Sequence, residues 1–80
     1  MRVLFYGRLA ESIGAEVELD ALPGSSVAQV RERLIAEYPE VEQSLRSRRS
    51  RACVGDTIVQ DDHLLNAACT VEFLPPVSGG

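Results

Sequence analysis

The residues whose types and order could do chemistry are the last six of this 80-residue sequence, Pro75-Pro76-Val77-Ser78-Gly79-Gly80. Pro75 and Pro76 have no backbone N–H and favour extended polyproline geometry, so a chain leaving a sheet through them is expected to run stiffly outward. At ~3.1 Å per residue the stretch reaches on the order of 19 Å, enough to enter a cleft in another protein. Gly79 and Gly80 carry no Cβ, so their backbone can pass where any side chain would collide. The group such an arrangement presents is the carboxylate of Gly80. A frayed, glycine-ended terminus is the plain alternative. The strand-like run before the tail and the two stiffening prolines favour presentation.

Little else in the chain offers reactive chemistry. His63 follows Asp61-Asp62 in a turn-like stretch and is expected to hydrogen-bond locally. Asp61 and Asp62 are adjacent, so their side chains diverge and do not make a metal pair. Cys53 and Cys69 form no C-x-x-C, and with the single His they fall short of the four ligands of structural zinc; no metal site and two reduced, buried thiols are expected. There is no G-x-G-x-x-G, Walker loop, G-x-S-x-G or H-E-x-x-H, so a self-contained active site is not expected. Arg46, Arg48, Arg49 and Arg51 make one basic cluster, read as a solvated loop, with a phosphate contact or a handle for an acidic partner as alternatives. No aromatic residue is interleaved with these arginines, and 12 acidic against 8 basic residues give a net charge of −4. Both features argue against nucleic acid and anionic membranes. All the basic residues are Arg; Lys is absent.

Hydrophobic residues make up 45% of the sequence, enough for one small core. The expected organisation is a folded body over 1–74 and an extended tail over 75–80. The opening apolar run is shorter than the roughly 7–15 residues of a secretory core, and no run approaches the ~18 of a membrane span. The chain reads as soluble and cytoplasmic. Val3–Tyr6 is a strand with apolar residues on both faces, Leu9–Ile13 a helical turn stopped by Gly14, and Glu16–Asp20 a half-buried strand with Val17 and Leu19 inward. Ser26 and Gln29 match a capping box opening a helix whose apolar face is Val27, Val30, Leu34 and Tyr38; Pro39 ends it. Val41 and Leu45 could anchor a short helix before the arginine loop. Ala52–Val54 and Thr57–Gln60 form a hairpin around Gly55-Asp56, Leu64-Leu65 a small anchor, and Thr70–Leu74 a last strand with Val71 and Phe73 inward.

Strand, strand, helix, short strands and a final strand is the order of an α+β roll of the ubiquitin-like β-grasp type, a mixed sheet crossed by one main helix. Its first and last strands are expected side by side and parallel in the middle of the sheet. By alternation, Leu4, Tyr6, Ile58 and Leu74 fall on the outward face near the root of the tail, which suggests a docking surface unless a short helix or the 40–50 segment covers it.

Val3-Leu-Phe-Tyr6-Gly, Arg8-Leu-Ala-Glu11, Gly14, Thr57-Ile-Val-Gln-Asp-Asp-His63 and above all Val71-Glu-Phe-Leu-Pro-Pro-Val-Ser-Gly-Gly80 resemble the ubiquitin-like sulfur-carrier family, and within it the small subunits of molybdopterin synthase. The resemblance covers essentially the whole chain. It implies that the Gly80 carboxylate is adenylated by an activating enzyme with ATP as co-substrate, and that a sulfur donor protein then converts it to a thiocarboxylate. Gly79, Ser78, Val77, Pro76 and Pro75 would carry it into a large catalytic subunit, where sulfur passes to a cyclic pyranopterin precursor. The resemblance implies a heterotetramer with catalytic side chains on the large subunit, no cofactor bound to the carrier, and docking through Tyr6, Ile58 and Leu74. Carriers serving thiamin synthesis or tRNA thiolation, and ubiquitin-like protein modifiers, are the alternatives. Gly55 stands where the family usually has Asn, Ala67-Ala68-Cys69 where an Asp-Gly-Asp turn is common, and the 46–51 arginines have no recognised counterpart.

Overall fold

A computed structural model of the chain describes residues 1–20, 24–47, 50–66 and 69–74, apart from the side chain of Arg8. Strand β1 (Arg2–Phe5) leads into helix α1 (Gly7–Ile13), then β2 (Glu16–Glu18) and the main helix α2 (Val27–Glu37). A 3-10 turn (Pro39–Val41) and the short helix α3 (Glu42–Arg46) precede β3 (Arg51–Val54), β4 (Thr57–Val59) and β5 (Thr70–Leu74). The five strands form one sheet in the order β2-β1-β5-β3-β4. β1 and β5 are parallel and central, with Val3 opposite Val71 and Phe5 opposite Phe73; the other pairings are antiparallel. This is the expected β-grasp arrangement.

Local chemistry explains most boundaries. The Ser26 hydroxyl accepts from the Gln29 backbone N–H at 3.2 Å while the Gln29 side chain accepts from the Ser26 N–H at 2.8 Å, so two donors at the start of α2 are satisfied reciprocally. Helix α1 begins at Gly7, earlier than the expected turn, and Tyr6 is its N-cap rather than the end of a strand. Gly14, at φ 96°, closes it, in a conformation an L side chain rarely adopts. The β3–β4 hairpin has Gly55 at φ 55° and Asp56 at φ 67° between the paired residues Val54 and Thr57. Positive φ at both central positions matches the type I′ twist, even though Gly precedes Asp.

The core lies between the sheet and the helices. Val3, Phe5, Val17, Leu19, Val71 and Phe73 meet Val27, Val30, Leu34, Val41 and Leu45, all buried. The Phe5 and Phe73 rings stack with centroids 6.1 Å apart. Burying such side chains contributes roughly 1.5–3 kcal/mol each, which holds α2 on the sheet.

Several expectations need correction. The buried stripe of α2 runs Val27, Val30, Arg31, Leu34, Ile35, so the i+4 position carries an arginine into the core side, while Tyr38 is only half-buried. The Arg31 guanidinium sits 5.0 Å from the Phe73 ring centre, and its N–H groups reach Asp61, Leu45 and Ser50. The arginine cluster is not one solvated loop: Arg46 ends α3 and Arg51 begins β3, whereas Arg48 and Arg49 lie outside the described residues. Leu65 anchors the turn before β5, but Leu64 is 67% exposed, because its neighbour takes the inward position. Cys53 and Cys69 are half-buried free thiols, not fully buried ones. For Cys53 the cause is alternation: buried Ala52 takes the core side of β3, which sends Cys53 to the side with no helix.

Candidate functional site

Three of the four predicted docking residues, Leu4, Ile58 and Leu74, owe their positions to their strands, and Tyr6 to its place between β1 and α1. In β1 the buried Val3 and Phe5 send Leu4 to the opposite side of the sheet, and in β5 the buried Val71 and Phe73 do the same for Glu72 and Leu74. In the β3–β4 hairpin, Ile58 pairs with Cys53. The registers therefore draw a row across the open face: Leu4 opposite Glu72, Glu72 opposite Cys53, Cys53 opposite Ile58. In the next row Leu74 stands opposite Arg51. The 3-10 turn and α3 pack with α2, and the turn with α1, instead of crossing this face.

Exposure along this face is graded. Ile58 is 61% and Tyr6 42% exposed, whereas Leu4 and Leu74 are half-buried. What the pattern reading missed is Glu72, which stands among these apolar residues. The Tyr6 hydroxyl donates to Glu72 Oε2 at 2.7 Å. That hydrogen bond, reinforced by some burial and by the negative charge, raises the Tyr6 phenol above its ordinary pKa. Alternation in Val71-Glu-Phe could have revealed the position of Glu72, since the residue between two core positions must face away from the core.

The tail residues Pro75, Pro76, Val77, Ser78, Gly79 and Gly80 lie outside the described residues, as do Ala67 and Ala68. Their root is defined: β5 ends at Leu74 in the middle of the sheet, between β1 and β3. β5 is hydrogen-bonded to a neighbour on both sides, to β1 through Phe73 and to β3 through Leu74.

Elsewhere the described residues offer little that could react. No group of three or more His, Cys, Asp or Glu among them could hold a metal ion. A cleft of about 800 Å³ opens between α2, α3 and β4, but its charges answer one another. Arg46 grips Glu32 through two parallel bonds of 2.7 and 2.9 Å and Glu42 through a third of 2.9 Å, while Arg31 is held by Asp61 at 3.1 Å. His63 makes a backbone turn contact, its N–H donating to the Gln60 carbonyl at 3.0 Å, and its own carbonyl accepts from Val27. No helix among the described residues is long and apolar enough to cross a membrane.

Comparison with known proteins agrees with this picture. The profile of the ThiS family matches residues 3–80. The molybdopterin synthase sulfur carrier subunit of Escherichia coli is 30% identical over 80 residues, covering 100% of this chain and 99% of that protein. Among solved structures, SAMP1 from Haloferax volcanii superposes with a TM-score of 0.83 at 19% identity, covering 99% of this chain and 97% of that one. The small archaeal modifier protein 1 from Methanosarcina acetivorans gives 0.79 at 23% identity, covering 99% and 94%. At these identities the two structures speak for the fold.

Proposed function

The chain belongs to the ThiS family, and on that premise we propose that it is a sulfur carrier, the small subunit of a molybdopterin synthase. The observation that carries this reading is the end-to-end similarity to the Escherichia coli carrier subunit, joined to the motif Pro75-Pro-Val-Ser-Gly-Gly80. A carboxylate resists nucleophiles until it gains a leaving group. In the proposed cycle a Gly80 carboxylate oxygen attacks the α-phosphorus of ATP on an activating enzyme, pyrophosphate departs, and a mixed anhydride with AMP results. A sulfur donor protein supplies sulfur at the sulfide level, which attacks the acyl carbon and expels AMP, leaving a thiocarboxylate. The tail then enters the large subunit, whose side chains direct the sulfur to a cyclic pyranopterin; two deliveries build a dithiolene. The carrier holds no cofactor of its own, and its assembly with the large subunit is a heterotetramer.

Intact-mass measurement after incubation with ATP, the activating enzyme and a sulfur source tests the chemistry directly: one terminal oxygen is exchanged for sulfur. Deleting Gly80 abolishes this exchange and leaves the thermal midpoint nearly unchanged, because the core described between Val3 and Phe73 is built from other residues. Product formation by the truncated protein would discard the mechanism. Conjugation to other proteins, suggested by the modifier proteins that share the fold, is the second reading. It predicts adducts on lysines of partner proteins in the same incubation.

A further inference from the structure

We propose that the open face of the sheet docks a partner surface that is apolar around one arginine, whose guanidinium pairs with the Glu72 carboxylate. The identity of that partner as the large synthase subunit rests on the carrier reading above. Glu72 cannot leave the face: Val71 and Phe73, on either side of it, are fully buried. The registers put Leu4 on one side of it and Cys53, then Ile58, on the other. A partner that covers both Tyr6 and Ile58 therefore covers Glu72 as well.

The carboxylate is held in place by Tyr6, whose hydroxyl bond uses one of its roughly four acceptor positions. Arg2, on the β2 side, is engaged by Glu16 at 2.9 Å. Among the described residues the Tyr6 hydroxyl is the side-chain donor given to Glu72; a wholly apolar partner would enclose that anion, and enclosing a charge without a matching donor weakens association. A guanidinium answers this better than an ammonium. Its planar fork meets both carboxylate oxygens, it is less strongly hydrated, and it lies flat against an aromatic ring such as that of Tyr6. The chain's net charge of −4 also attracts a basic surface during encounter.

The test is calorimetric titration of the wild-type carrier, Glu72→Gln, Glu72→Leu and Tyr6→Phe with the purified large subunit of the same organism. Thermal midpoints confirm that each variant is folded. Glu72→Gln is expected to weaken binding on the order of 30-fold or more, mainly through faster dissociation. Glu72→Leu should weaken it at least as much, and Tyr6→Phe by less. The ratio of wild type to Glu72→Gln should persist at about 0.5 M salt, because an enclosed pair is screened far less than a distant one. A ratio that collapses in salt, a Glu72→Gln affinity within about threefold of wild type, or tighter binding by Glu72→Leu would each overturn the proposal while leaving the carrier reading intact. Failure of the wild-type protein to bind the large subunit would overturn both.

Discussion

Replacing Arg31 should remove a large share of this protein's stability, although the residue takes no part in the proposed chemistry. Its side chain is 10% exposed and makes four hydrogen bonds: Nε to Asp61 Oδ1 at 3.1 Å, Nη1 to the Leu45 carbonyl at 2.7 Å and to Ser50 Oγ at 2.9 Å, and Nη2 to the Ser50 carbonyl at 3.3 Å. Asp61 is 59% exposed and can return to water, so that pair contributes at most about 1 kcal/mol. The Leu45 and Ser50 carbonyls belong to buried residues and cannot be mutated away. Each orphaned acceptor costs about 1–3 kcal/mol. Adding the lost packing against Phe73, Arg31→Ala should cost about 3–5 kcal/mol, out of the roughly 4–12 kcal/mol expected for a domain of this length. At about 4–8 °C per kcal/mol, the midpoint falls by roughly 12–40 °C in a thermal melt followed by circular dichroism. Arg31→Met restores the packing but not the donors and should still lose about 2–4 kcal/mol. If Arg31→Met melts within about 1 kcal/mol of the wild type, the carbonyls do not depend on the guanidinium and the reasoning fails.

Smaller perturbations test other parts of the structure. Ser26→Ala removes the N-cap of α2 and should cost about 1 kcal/mol by urea denaturation; an unchanged midpoint would mean that water replaces the hydroxyl without loss. Leu74→Arg puts a charge on the docking face and should weaken large-subunit binding at least tenfold, about 1.4 kcal/mol, without stopping thiocarboxylate formation, as read by calorimetry and intact mass. The Tyr6 phenol should deprotonate above its ordinary value near 10, and Glu72→Gln should bring its NMR titration midpoint back toward that value. With the folded pKa raised, the contribution of Tyr6 to stability is complete below pH 10 and declines as the pH rises through the folded value. Wild-type and Glu72→Gln melting temperatures should therefore converge in strong alkali.

The features legible in the sequence were those whose cause lies within a few residues. Ser26 and Gln29 announced the start of α2 because the two ends of a capping box are three residues apart. Pro39 announced its end, Gly14 the end of α1, and the alternation in Glu16–Asp20 and Thr70–Leu74 identified which side chains face inward. The element order then pointed to the central parallel pair β1 and β5, since only a long crossover can join parallel neighbours. Tertiary structure decided where polar groups find partners. Arg31 reads as one more charge on a helix until Ser50 and Asp61, distant in sequence, are brought to it by the β3–β4 hairpin. Arg46 reads as loop until α3 sets it against Glu32. Glu72 acquires its meaning from register, which sets it between Leu4 and Cys53 beneath the Tyr6 hydroxyl. Hydrophobic period and turn chemistry are written into adjacent residues, but the compensation of a buried or crowded charge is a property of the distant strands and helices that close around it.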